Sequence, residues 1–222
     1  MHYTIVAPQP LQALLAHRLK HFATIDYQFC DKTKSQPAMI FVQANPHATP
    51  NTFQADIELL ALPALQAPEY GFIFAAAGSL TALQSTAPLL DALAPIANGW
   101  LHIGDFGAAS FAHRAWQTIT ESASKESSAF WQKIPNLPTP IPLNQAEFIT
   151  ELAKQMGEQQ QQSIVLQQLA SEFLSQQPAH DFQPYSPLQR QYFGPWSQTN
   201  TSPAQQLANF ILQIPTQYTP AN

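Results

Sequence analysis

Residues Gly99–Trp116, GWLHIGDFGAASFAHRAW, read as a short strand, a glycine-containing turn and the opening of a helix. Gly104 and Gly107 permit a backbone turn that side chains would obstruct. From Ala108 to Trp131 breakers are few and apolar residues recur at helical spacing, which predicts one long helix. His113, Trp116, Gln117 and Thr120 stand at i, i+3, i+4 and i+7 and share one face of it. A strand, a turn and a helix in this order are where an α/β protein usually holds its chemistry.

Upstream, His2–Ala7 is a β-branched and aromatic run, and Pro10–Phe22 carries Leu11, Leu14, Leu15, Arg18 and Leu19 at helix-face spacing. Thr24–Cys30 and Ala38–Val42 read as two further strands, and a β-α-β opening of this length is how a dinucleotide-binding domain begins. Gln43–Thr52 reads as a loop, Asp56–Leu62 as a strand and Tyr70–Gly78 as a buried strand. Ser79 caps a helix predicted to run to Ala94, where Pro95 ends it.

The run Gly71–Pro95, GFIFAAAGSLTALQSTAPLLDALAP, together with the Gly99–Trp116 stretch it leads into, resembles the 6-phosphogluconate dehydrogenase family within the β-hydroxyacid dehydrogenases. The family pattern around its catalytic helix is G-P-x-G-x-G-H-x-x-K-M-V-H-N-x-x-E. Gly104 and Gly107 match it, while the family's lysine falls on His113, its histidine on Trp116, its asparagine on Gln117 and its acidic residue on Thr120. Leu188–Gly194, LQRQYFG, is similar to the family's late motif, whose substrate-reaching histidine and arginine fall on Trp196 and Asn200. The family's substrate-binding S-G-G falls on Leu62, Pro63 and Ala64.

At the N-terminus Arg18 and Leu19 match the end of the family's first helix, but the three glycines of G-x-G-x-x-G fall on Ala7, Gln9 and Gln12. Gln9 puts a side chain where a pyrophosphate would lie, and Pro8 and Pro10 remove N–H donors from the loop that would cradle it. Asp31, at the end of the second strand, stands about where an acidic residue would hold a ribose hydroxyl, and Lys32 is placed to meet a 2'-phosphate. A solvated turn is the other reading of that pair.

The resemblance implies an α/β chain with a shortened Rossmann-like, mostly parallel sheet over residues 1–104. A helical part follows over 105–222, with a proline-rich linker at 134–143 where four prolines stand in the nine residues Pro135–Leu143. Within it Asn144 caps a long helix to about Gln177, and Pro203–Leu212 forms the last helix.

The family's reaction, as the resemblance implies it, is NADP-dependent oxidation of a sugar-acid phosphate followed by decarboxylation. That reaction needs a base and an acid. His113 is the candidate base, with Gln117 beside it at the asparagine position. Thr120 cannot serve as the acid, and Glu121 points about 100° away around the helix. The first expectation is therefore a non-catalytic relative that binds a small ligand or a protein partner, with no cofactor assigned unless NADP. The alternative is an NADP-dependent oxidoreductase acting on a sugar-acid phosphate or another 3-hydroxy acid through altered residues. A third reading is an interaction module, because family members dimerise through their helical domains and the long helix carries Gln159–Gln162.

Other constellations are weaker. Ser110, His113 and Asp105 assemble a Ser-His-Asp set on paper, without a nucleophile elbow. His47, His102 and His180 lack metal-ligand spacing, and Cys30 alone forms neither an internal disulfide nor a cysteine-based zinc site. With 9 Lys+Arg against 14 Asp+Glu and a net charge of -5, nucleic acid is not the expected partner. The N-terminal residues lack a basic segment followed by an apolar one, and no window approaches the ~20 apolar residues of a membrane span. A cytoplasmic homodimer is the expectation.

Overall fold

The computed structural model describes residues 1–30, 39–43, 57–61, 64–133, 146–177, 181–185 and 201–214. Their contacts divide the chain into two compact units, Met1–His113 with Gln176–Leu207, and Arg114–Ser175 with Ala208–Asn222.

The first unit is built on a sheet of six strands: β1 (His2–Val6), β2 (Asp26–Cys30), β3 (Met39–Gln43), β4 (Ile57–Ala61), β5 (Phe74–Gly78) and β6 (Leu101–Gly104). Their order across the sheet is β2-β1-β3-β4-β5-β6. The expected mostly parallel sheet is corrected to a mixed one. Only β1–β2 and β5–β6 pair in parallel, whereas β1–β3, β3–β4 and β4–β5 are antiparallel. The physical reason is that alternating apolar residues fix which face a strand buries and say nothing about which way it runs.

Each parallel pair is closed by a helix, α1 (Gln9–Leu19) between β1 and β2, and α3 (Leu80–Leu93) between β5 and β6. β1 and β5 run in opposite directions, and their partners lie towards opposite edges of the sheet. The right-handed rule for such crossovers therefore puts both helices on the same face. Leu11, Leu15 and Leu19 of α1 and Leu83, Leu89, Leu90 and Leu93 of α3 accordingly share one buried cluster with Ile5, Ile40, Val42, Ile57, Leu59, Phe74 and Ala76 of the sheet. Period-two alternation then turns Phe41, Glu58 and Ala77 to the opposite face.

A short helix, α2 (Ala67–Tyr70), precedes β5, so the expected strand from Tyr70 begins only at Phe74. Gly71 joins them at φ 99°, and a Cβ there would lie 2.4 Å from the Pro95 nitrogen, so only glycine lets this turn sit against the end of α3. Arg18 ties the same region together. Its guanidinium donates to the carbonyls of Ala92, Ala94 and Glu69, each at 2.8 Å, and stacks 5.1 Å from the Phe22 ring centroid. Those carbonyls lie at the ends of α3 and α2, where no intrahelical N–H reaches them.

After β6 the described elements are helices: α4 (Ala108–Lys133), α5 (Ala146–Gln176) and α6 (Pro203–Leu212). In the second unit Leu166, Leu169, Ala170 and Phe173 of α5 are buried, and Gln167 Nε2 donates to the Ile214 carbonyl at 2.6 Å. The proline-rich stretch 134–143 lies outside the described residues.

Candidate functional site

The turn after β6 is built as the glycines require. Gly104 has φ 150°, and a Cβ there would come within 3.0 Å of both the Ala108 Cβ and the Ser202 Oγ. Gly107 follows at φ 99°, and α4 starts one residue later. The first N–H groups of a helix have no intrahelical acceptor and carry the positive end of its dipole, so this is where an anion would dock.

Glu58 occupies that position. One carboxylate oxygen accepts from the Gly107 N–H at 2.9 Å and the Ser110 N–H at 3.3 Å, and the other accepts from the Ser110 hydroxyl at 2.8 Å. Glu58 is 2% exposed. Its reach follows from the strand register, because Phe41, Glu58, Ala77 and Gly104 form one row across β3, β4, β5 and β6. Ala77, which stands between Glu58 and Gly104 in that row, carries only a methyl group. A buried charge needs this many donors.

The paper arrangement of Ser110, His113 and Asp105 is not assembled, since the Ser110 hydroxyl is given to Glu58. His113 is 4% exposed, and its Nδ1 is buried without a hydrogen-bond partner. Burial pushes its imidazole below the usual range. Gln117 stands one turn further along α4, half-buried. The Thr120 hydroxyl donates back to the Trp116 carbonyl at 2.9 Å, and Trp116 itself is exposed.

The β1–α1 junction is also closed. Pro8 caps α1 without a side-chain bond, and the Leu11 and Gln12 N–H groups donate to the Pro8 carbonyl at 2.9 and 3.0 Å. Gln12 folds its amide onto the Ala7 carbonyl at 2.7 Å. Of residues 8–10 only Gln9 has an N–H to offer. Asp31 and Lys32 lie outside the described residues, as do Leu62, Pro63, His47, His180, Leu188–Gly194, Trp196 and Asn200.

His102, on β6, is 3% exposed. The Tyr185 N–H donates to its Nδ1 at 3.2 Å, so the proton sits on Nε2, which donates to the Gly104 carbonyl at 3.2 Å. Burial pushes this imidazole down to about 4, and the carbonyls of Gly104 and Gly78 oppose only part of that shift. Its ring packs 4.7 Å from Phe182, while the Tyr185 ring lies 4.8 Å from the fully buried Trp100. Asp91 of α3 holds the base of this group, its Oδ1 accepting from Trp100 Nε1 at 3.0 Å and from the Asn98 N–H at 2.7 Å.

The turn and α4 are legible in the sequence, whereas Glu58 and the contacts of Phe182 and Tyr185 with His102 are not singled out there. The signal for Glu58 was one acidic residue inside the apolar strand IELLA; none in the sequence joined His102 to Tyr185. Among the described residues no group of three or more His, Cys, Asp and Glu is placed to hold a metal, and no helix is long and apolar enough to cross a membrane. Comparison with protein-family models, curated proteins and solved structures found no match.

Proposed function

We propose that this chain is a shortened, rearranged relative of the 6-phosphogluconate dehydrogenases that has given up catalysis and acts by binding, as a homodimer formed through its helical part. The observation that carries this reading is Glu58, an internal carboxylate seated on the N–H groups of α4 where an anionic substrate would otherwise dock. A phosphate brought to the same place would meet a buried negative charge, at a cost of several kcal/mol in a poorly solvated setting. The β1–α1 junction supports the same reading, because Pro8, Pro10 and the folded Gln12 leave few donors for a pyrophosphate.

Calorimetric titration of the pure protein with NADP, NAD and 6-phosphogluconate, followed by a turnover assay, tests it. No heat and no NADPH formation are expected. Micromolar binding of a dinucleotide with turnover would overturn the proposal and return His113 to the role of base. Sedimentation at micromolar concentration tests the dimer separately, and a monomer throughout would remove that part alone.

A further inference from the structure

Residues Asp181–Tyr185, DFQPY, carry no regular secondary structure, and the whole stretch is exposed or half-buried. What lies beneath them is not: Trp100 is 0% and His102 3% exposed. The stretch is held at two points three residues apart. Phe182 packs on the imidazole of His102, and Tyr185 packs on Trp100 while giving its backbone N–H to His102 Nδ1. One imidazole thus takes part in both attachments, as a stacking surface and as a hydrogen-bond acceptor.

The acceptor role depends on that nitrogen being unprotonated. A proton added to His102 goes to Nδ1, because Nε2 already carries one towards Gly104. Two N–H groups would then face each other across 3.2 Å, and a charge would be enclosed beneath Phe182 at a residue only 3% exposed. Moving the stretch aside relieves both problems by letting water reach the imidazolium. We propose that Asp181–Tyr185 is a releasable strap, and that protonation of His102 unlatches it from Trp100 while the sheet beneath stays folded.

The titratable groups that the surrounding described elements bring towards His102 are few. The strap brings Asp181 and Tyr185, α3 brings Asp91, the chain after β6 brings Asp105, and β5 brings none. Asp91 is committed to Trp100 and Asn98, and burial, with the Asp91 charge added to it, pushes the Tyr185 phenol up, so the phenol stays neutral in acid. With His102 titrating near 4, the strap opens in acid.

Hydrogen exchange on the full chain, read at the Tyr185 and Leu59 amides beside an NMR titration of the His102 imidazole, tests this. Tyr185 protection is expected to collapse with the His102 titration near pH 4 while Leu59, in the buried sheet, stays protected. The variant His102→Asn keeps an acceptor that does not titrate, and its strap should hold through the same range. Loss of protection at Tyr185 and Leu59 in one step, no loss at Tyr185, or an unchanged pH profile in His102→Asn would each overturn the proposal. The wild-type comparison stands by itself if the variant does not fold.

Discussion

Glu58 is one carboxylate answering three donors, and the consequence of removing it can be stated in energy. In Glu58→Ala the Gly107 and Ser110 N–H groups and the Ser110 hydroxyl lose their acceptor in a buried place. Stranding them costs about 3 kcal/mol, which for a chain of this size lowers the melting temperature by roughly 10 °C. Glu58→Gln should fall between, since an amide supplies one acceptor oxygen and turns its own N–H₂ towards donors. Differential scanning calorimetry separates the three proteins. Phosphate at tens of millimolar should recover part of the loss in Glu58→Ala and none in the wild type, because an anion fitting the vacated position binds only the folded form. The pattern IELLA puts Glu58 on the face opposite Ile57 and Leu59, which was legible. Its partners were not, for they lie about fifty residues on and are joined to it only by the register of β4, β5 and β6.

At the scale of elements, helices and strands were legible to within a few residues wherever periodicity carried them. α6 runs over the expected Pro203–Leu212, and Ser79 caps α3 as read, its Oγ accepting from the Ala82 N–H at 3.2 Å. α2 was missed because four residues containing Pro68 show no helical period, and the direction of β3, β5 and β6, which run against β1, was missed because alternation is the same read either way. Arg18 shows how the elements are then joined. Arg18→Ala should cost about 3 kcal/mol, as three carbonyls at the ends of α3 and α2 lose a charged donor. Arg18→Lys should recover less than half, because one ammonium cannot reach acceptors that a planar guanidinium spans. Urea unfolding of the two variants measures this. By the same reasoning Ser79→Ala should cost only about 1 kcal/mol, one cap bond at an exposed helix start.

On the scale of the molecule, the buried imidazoles set how stability varies with acidity. His102 titrates at about 4 when folded and near the ordinary imidazole value of 6.5 when unfolded, so between those limits the unfolded chain binds the extra proton. Stability is therefore complete above about pH 6.5 and is lost as pH falls towards 4, by at most about 1.4 kcal/mol per pH unit from this residue. His113, also pushed down by burial, acts in the same sense. Urea midpoints should hold above about pH 6.5 and fall from there towards pH 4, and His102→Asn should flatten that slope by about one proton; an unchanged slope would mean that His102 is not shielded as its 3% exposure implies. Release of the strap limits this loss. Once moving Asp181–Tyr185 aside costs less than enclosing the imidazolium, the folded form takes up the proton too, the two states bind protons alike, and the slope vanishes. The pH at which the urea midpoint stops falling should then coincide with the pH at which the Tyr185 amide begins to exchange, two independent readings of one opening.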